Sequence, residues 1–447
     1  MTASIATDLS SAQRRMWFSE RLAPADPGYR VQHAWHVRGT LDRAALRGAV
    51  DELMRRHDSL RTVYRSDATG VYSFPRADWP DPVRDDWPAL AGDDDTGRAA
   101  LADWVYERRC QRMDLGTGPL MAVDVRAVGE AGFLVLLTFH HIAVDGVSLG
   151  ILVTELAQAY RALVEGREPR LPVAPAHADV AAAQARRWRR PLDVDDAAAL
   201  GAWRGVLAGA PAASRPRPDR AGSGPAGANV VDVFVDPADA QWWRARGRRH
   251  GCTPLMSFLA VHAAVLAAAA GTDEVVIGLP WAGRDERVPD GVVGCLVNLL
   301  PIRITAPRAA TVDTLLAHVQ DRCLAAFDHA DVPLEEIVAA SGVGREPGVA
   351  PLVQTTFSLG ARPPVPDLAG LTVAPYRIEP RCVRLNLELH LHPRAGGLEG
   401  HLLTDARLYS AAATRDLADA FVRAVAAREA ALDVTWHRWA PKEEHHG

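Results

Sequence analysis

The sequence predicts an α/β protein with two lobes, and three observations carry that prediction. Short apolar runs alternate with segments of helical apolar spacing in both halves of the chain. Between Gly209 and Asn229 the stretch APAASRPRPDRAGSGPAGAN, without apolar periodicity, reads as an irregular surface connection. The 447 residues, 48% of them hydrophobic, suffice for two packed cores of roughly 200 residues each.

In chain order, the first helix should begin at Ser10. Ser10-Ser11-Ala12-Gln13 has the form of a capping box, and Met16 and Trp17 follow at helical spacing. A second helical pattern runs from Leu41 to about His57, with Leu46, Val50, Leu53 and Met54 a turn apart. Phe133 to Phe139 is a continuous apolar run too short for an ordinary helix, as expected of a strand covered on both faces. A polar loop follows it, and then Leu149, Leu152, Leu156, Tyr160 and Leu163 recur at helical spacing. Beyond the mid-chain connection, Val230 to Val235 reads as a strand and Ala238 to His250 as a helix. Pro254 to Ala270 reads as a buried helix and Glu274 to Leu279 as a buried strand. Leu385 to Leu391 and Ala411 to Ala430 add a last strand and helix.

Fifty Lys+Arg against 55 Asp+Glu give a formal charge of -5, so no basic excess points to nucleic acid or an anionic membrane. The cysteines at 110, 252, 295, 323 and 382 are odd in number, spread out and without a C-x-x-C. Neither a disulfide framework nor a zinc cluster is expected, and a reducing cytoplasm fits best. Met1 to Asp8 is short and mixed, unlike a basic-then-apolar leader. The most apolar run, Phe258 to Ala270, is interrupted by His262 and falls short of the roughly 20 residues a spanning helix needs.

The densest chemical signal is Phe139-His140-His141-Ile142-Ala143-Val144-Asp145-Gly146, at the carboxyl end of the predicted strand. Such loops are where α/β proteins place reactive groups. An imidazole with an ordinary pKa of ~6.5 serves there as base or acid near neutral pH. Asp145 is close enough in sequence to shape the same loop, and Gly146 permits a tight turn or a close backbone approach. From these residues alone, a reactive histidine and a pair packed under a loop against backbone carbonyls both stay open. Adjacent histidines with a carboxylate could also ligate zinc, but no H-E-x-x-H or cysteine partner accompanies them, and no metal site is expected.

His140-His141-x-x-x-Asp145-Gly146 resembles the HHxxxDG signature of the condensation domains of non-ribosomal peptide synthetases. That signature is shared with acyltransferases related in fold to chloramphenicol acetyltransferase. Other motifs of the family follow in order. Ser10-x-Ala12-Gln13-x-Arg15-Met16-Trp17 resembles the opening motif, and Arg56 to Tyr64 the RHExLRTxF segment. Gly278 to Arg284 is similar to the G-x-P-x-x-G-R turn, and Val293 to Asn298 with Arg303 to the VGxFVNT segment. His329 to Glu335 resembles HQDxPFE, and Arg345 with Pro351-Leu352 resembles RDxSRNPL. His177 stands at the tyrosine position of the usual YxDYA, and Val147 where a tryptophan is common.

The resemblance implies two chloramphenicol acetyltransferase-like lobes forming a V-shaped pseudo-dimer with the active site in a tunnel between them. Residues 1–177 would be the lobe carrying HHxxxDG, and 178–447 the other, with the linker 209–229 and a floor-loop region at 278–303. It implies His141 as catalytic base and the Gly146 amide as oxyanion donor, with His140, Asp145 and Arg284 supporting the site. Ser148 and Asn298 are candidates for lining the tunnel or touching substrate. The implied activity is acyltransfer from a carrier-protein phosphopantetheine thioester to an amine or a hydroxyl, the acceptor being a small molecule or bound to a second carrier. No intrinsic cofactor is implied. Because no carrier or adenylation domain fits in the rest of the sequence, a free-standing enzyme is expected. Two alternatives stand beside it. One is an epimerising relative, disfavoured by the Ser10-x-Ala12-Gln13-x-Arg15 opening. The other is a non-catalytic platform that recruits enzymes to a peptide assembly line, whose members usually lose the motif that is intact here.

Overall fold

The computed structural model describes residues 7–428 apart from 25, 69, 91–94, 130–131, 190–191, 224–225, 307–309 and 345–348. Arg345 and the end of the expected last helix, at Ala430, lie outside the described residues. The chain divides into two compact units. The first is Met1–Pro191 with Ala282–Val297 and Pro363–Glu379; the second is Leu192–Trp281, Asn298–Arg362 and Pro380–Gly447.

In the first unit β1 (Thr7–Asp8), β3 (Thr62–Asp67) and β4 (Gly70–Pro75) form a small sheet in the order β1-β4-β3. A larger sheet runs β12-β2-β7-β6-β5, from β2 (Arg30–Arg38), β5 (Val83–Arg84), β6 (Met121–Val128), β7 (Gly132–His140) and β12 (Thr372–Pro375). The helices are α1 (Ser11–Leu22), α2 (Arg43–Arg56), α3 (Asp95–Cys110), α4 (Gly146–Val164) and α5 (His177–Arg189). Helix α1 starts at the expected capping box, with the Ser10 hydroxyl accepting from the Gln13 N–H and the Gln13 side chain accepting from the Ser10 N–H.

The apolar run of strand β7, Phe133 to Leu137, is covered on both faces. Val135, Leu137 and Phe139 join the core built with Leu46, Val50 and Leu53 of α2 and Leu152 and Leu156 of α4. Leu134 and Leu136 face Leu101, Trp104 and Val105 of α3. Helix α4, with 19 residues, is long and apolar enough to cross a membrane by length and composition, yet its Leu149, Leu152, Val153 and Leu156 are buried in this core.

The unit boundary differs from the expected 177/178. Asp58 accepts hydrogen bonds from the backbone N–H groups of both His177 and Ala178, at 2.9 Å each, which binds the start of α5 to the first unit. The 282–297 part of the expected floor-loop region also packs in the first unit. So does the segment holding β12, whose backbone pairs antiparallel with β2.

The second unit is built on one sheet, ordered β10-β9-β11-β13-β14-β8. Its strands are β8 (Ala228–Val235), β9 (Glu274–Trp281), β10 (Asn298–Thr305), β11 (Thr355–Leu359), β13 (Leu387–Arg394) and β14 (Gly397–Asp405). The helices are α6 (Val194–Leu207), α7 (Pro237–Arg248), α8 (Pro254–Ala270), α9 (Val312–Phe327), α10 (Leu334–Ser341) and α11 (Ala411–Ala427). Each unit is therefore built on a main sheet clothed in helices, the first with a small second sheet, which is the predicted α/β class. Helix α8 is apolar on all sides because it packs against α7, α9, α11 and the sheet at once.

The imidazole of His262 sits in that packing. The His262 ring stacks on Phe357 with centroids 5.6 Å apart and meets the edge of Phe421 at 6.1 Å, and neither ring nitrogen has a hydrogen-bond partner. Burial pushes its pKa down to about 3. The neutral ring is what folding requires, so its contribution to stability is complete above the unfolded pKa of ~6.5 and is lost as pH falls toward the folded value. We expect the His262→Leu variant to lose less unfolding free energy than the natural chain between pH 7.5 and 5, by about 2 kcal/mol. Chemical denaturation at the two pH values checks this; parallel losses would contradict it.

Candidate active site

Strand β7 ends at His140, and the chain turns through His141 to Val144 before Asp145 caps α4. The two histidines therefore face different surroundings. His140 is fully buried, its ring stacked near Tyr29 with centroids 6.5 Å apart. Its Nδ1 accepts from the Ile142 N–H at 3.1 Å, so the proton is on Nε2, which points at Glu20 Oε2, 3.4 Å away. Glu20 is held in turn by both terminal nitrogens of Arg30, at 3.0 Å each. Burial lowers the His140 pKa against the opposing pull of Glu20. For Glu20, burial pushes the pKa up, but the hydrogen bonds from His140 and Arg30 outweigh it and leave the carboxyl below its ordinary range.

His141 is half-buried, and its backbone N–H donates to the Tyr29 carbonyl at 2.8 Å. Its Nδ1 lies 2.8 Å from the Val144 carbonyl oxygen. A carbonyl can only accept, so Nδ1 carries the hydrogen and the lone pair of the neutral ring is on Nε2. The turn from 141 to 144 thus selects the tautomer of its own histidine. Cys295, to which the sequence had assigned no role, brings its sulfur to 3.9 Å from the same Nδ1.

Asp145 is the centre of a buried network. Its Oδ1 accepts from the Ser148 N–H at 2.8 Å, capping α4, and lies 2.7 Å from the Ser148 hydroxyl. Arg284 Nη2 donates to both carboxylate oxygens, at 2.9 and 3.1 Å, and the Leu296 N–H donates to Oδ2 at 3.2 Å. Arg284 Nη1 closes its own loop on the Val292 carbonyl at 2.8 Å. Gly283, just before it, has φ 66°, and a Cβ there would lie 2.0 Å from the Leu296 oxygen, so this turn requires glycine. Gly146 is exposed at the first position of α4, where helix geometry leaves backbone N–H groups without intrahelical acceptors.

Two candidates have other work. Ser148 is fully buried and lines no open space: its hydroxyl accepts from the Gly294 N–H at 3.0 Å and from Arg284 at 3.1 Å, inside the Asp145 network. Asn298 belongs to the second unit, where its side-chain amide donates to the Ala330 and Val332 carbonyls at 2.9 and 2.7 Å. Its Oδ1 accepts from the Leu334 N–H at 3.2 Å, so the side chain clamps the turn into α10. His177, at the variant position of YxDYA, has its Nδ1 3.5 Å from Gln13 Nε2, which donates to the Tyr64 hydroxyl at 2.9 Å. Burial holds the His177 pKa low, and a Cβ at Gly294 would lie 1.7 Å from its ring, so His177 supports the 294–296 segment from behind.

Asp145 and Arg284 are both largely buried, with side-chain exposures of 4% and 15%. We expect Arg284→Ala, which strands the carboxylate, to cost about 3–5 kcal/mol of stability. The double variant with Asp145→Ala should cost clearly less than the sum of the single ones, with a coupling of about 1 kcal/mol or more. Denaturant unfolding of the four proteins measures this, and additivity would refute the pairing.

A family model described as Condensation domain matches residues 6–433. A component of the linear gramicidin synthase of Brevibacillus parabrevis is 32% identical over 400 residues, which is 87% of this chain but 8% of that relative's length. Among solved structures, the X-domain from teicoplanin biosynthesis superimposes with a TM-score of 0.84 at 25% identity, covering 97% of this chain and 96% of that one. The first condensation domain of the calcium-dependent antibiotic synthetase, at 21% identity, shares the fold with a TM-score of 0.76 and covers 98% of each chain. With the family model spanning nearly its whole length, and with HHxxxDG at the turn between β7 and α4, the chain belongs to the condensation-domain family.

Proposed function

We propose that this chain joins an acyl or aminoacyl group, delivered as a phosphopantetheine thioester on a carrier protein, to an amine or hydroxyl acceptor. The observation that carries this reading is the His141 tautomer: Nδ1–H is engaged by the Val144 carbonyl, so Nε2 is the atom equipped to take a proton. As the acceptor nitrogen or oxygen attacks the thioester carbonyl, its proton passes to Nε2 and the new C–N or C–O bond forms. The tetrahedral oxyanion is met by the Gly146 N–H at the start of α4. Collapse breaks the C–S bond, and the proton on His141 goes to the departing pantetheine sulfur. Asp145 and Arg284 act by fixing the turn that holds both groups. The Asp145 network accounts for the position of the Gly146 amide.

A second reading, a recruitment platform for another enzyme, draws on the likeness to the X-domain, which has also been solved in complex with OxyB. The intact His141–Val144 and Asp145–Arg284 geometry favours the catalytic reading. The deciding experiment feeds carriers loaded with a panel of acyl and aminoacyl groups, together with amine and alcohol acceptors, and compares product formation with binding to carriers. His141→Ala should lower turnover by about 10²–10⁴-fold with carrier binding retained. Carrier or enzyme capture without turnover in the natural chain would instead establish the platform.

Gly146 gives a sharper test. A Cβ added there would meet nothing within 4 Å in the protein, so the fold does not require glycine at this position. We expect Gly146→Ala to melt at or above the natural temperature, since alanine is the better helix former. Turnover should fall about ten- to a hundredfold as the methyl group intrudes where the carbonyl must lie. Unchanged turnover would remove Gly146 from the site.

A further inference from the structure

The residues on either side of Cys295 fix its place in the fold. Gly294 donates its N–H to the Ser148 hydroxyl at 3.0 Å and presents its carbonyl 2.9 Å from the same oxygen, while the Leu296 N–H is taken by Asp145. With both flanking residues stitched to the amino end of α4, the fully buried Cys295 side chain is directed at the ring of His141. His177 packs behind Gly294 and keeps the segment from receding. The Nδ1 edge of His141 therefore faces the Val144 carbonyl at 2.8 Å and the Cys295 sulfur at 3.9 Å.

We propose that Cys295 is a positioning residue for His141: sulfur and carbonyl together grip the imidazole by its Nδ1 edge, presenting Nε2 for proton transfer and setting how readily the ring accepts a proton. This rests on His141 being the base proposed above. A weak acceptor such as a thiol lets the ring take a proton from the acceptor and give it up to the leaving sulfur. A stronger acceptor at the same place would stabilise the protonated ring and slow that release.

The other charged or titratable groups on the elements packed here are Asp145 and Arg284 at the turn and His140 with Glu20 and Arg30 from β7, α1 and β2. His177, Asp58 and Tyr64 lie behind the 294–296 segment. All of them are retained when the thiol is exchanged, so a change in His141 titration reports on position 295.

The test uses the full chain with carbon-labelled histidine, following the His141 ring signal by NMR as pH is varied, with His141→Ala to assign it. In Cys295→Ser a hydroxyl accepts more strongly from Nδ1–H, so the midpoint should rise by about half a pH unit; in Cys295→Ala no acceptor replaces the sulfur, and the midpoint should fall by a similar amount. The acid limb of the turnover profile should move in the same directions. Coincident midpoints, or shifts of one sign in both variants, in proteins that melt like the natural chain overturn the proposal. If Cys295→Ala fails to fold, the direction of the shift in Cys295→Ser decides alone. Full turnover by His141→Ala would overturn the catalytic reading instead, whereas the titration would still decide whether position 295 governs the ring.

Discussion

A carboxylate buried among N–H and O–H donors and beside a guanidinium is a strong organiser, and the arrangement around Asp145 has that character. Its oxygens cap α4, anchor Arg284 and receive the Leu296 N–H, so one side chain joins the turn after β7 to the 284–296 loop. Burial makes the carboxylate costly unless each oxygen is satisfied, which is why so many partners converge there. What the network yields is geometry. The His141 ring, the Gly146 amide and the Cys295 sulfur all inherit their places from it, although the network contains none of them.

The chemistry of His141 follows from what stands at its Nδ1. In many hydrolases a carboxylate occupies that place and stabilises the charged imidazolium. A main-chain carbonyl orients the ring and fixes its tautomer without adding charge. In the proposed reaction, that suits a group that both accepts a proton and returns it within one turnover. His140 shows the contrasting arrangement one residue away: sealed, hydrogen-bonded to Glu20 and pushed toward neutrality by burial, it ties the end of β7 to α1 and β2.

Much of this was legible in the sequence. The capping box at Ser10, the doubly covered strand before His140 and the apolar helix at Pro254 were readable because each follows from a local pattern of hydrogen bonding or burial. Strand β2 was not. On the side facing α3 it carries Arg30 and Gln32, which are buried only because Glu20 and Thr138 pair with them, so the run Arg30–Arg38 lacks an apolar signature. The unit boundary was misplaced for a similar reason: the cap of α5 comes from Asp58, far away in sequence. Ser148 and Asn298 look alike as loop or cap residues until their partners are known, and the nearness of Cys295 to His141 depends on residues 146 positions apart bonding across the Ser148–Gly294 contact.

The return of Ala282–Val297 and Pro363–Glu379 to the first unit bears on how the chain acquires its structure during synthesis. When Pro191 has left the ribosome, the large sheet still has the flank of β2 open where β12 will lie, and Asp145 is still waiting for its arginine. Completion of that unit is deferred until residues encoded far downstream arrive, so local helices and hairpins can form early while the turn after β7 is set late. Such long-range closure slows folding. It also means that a nascent fragment ending before Arg284 already carries both histidines, but in a turn whose Asp145 still lacks the Arg284 and Leu296 donors.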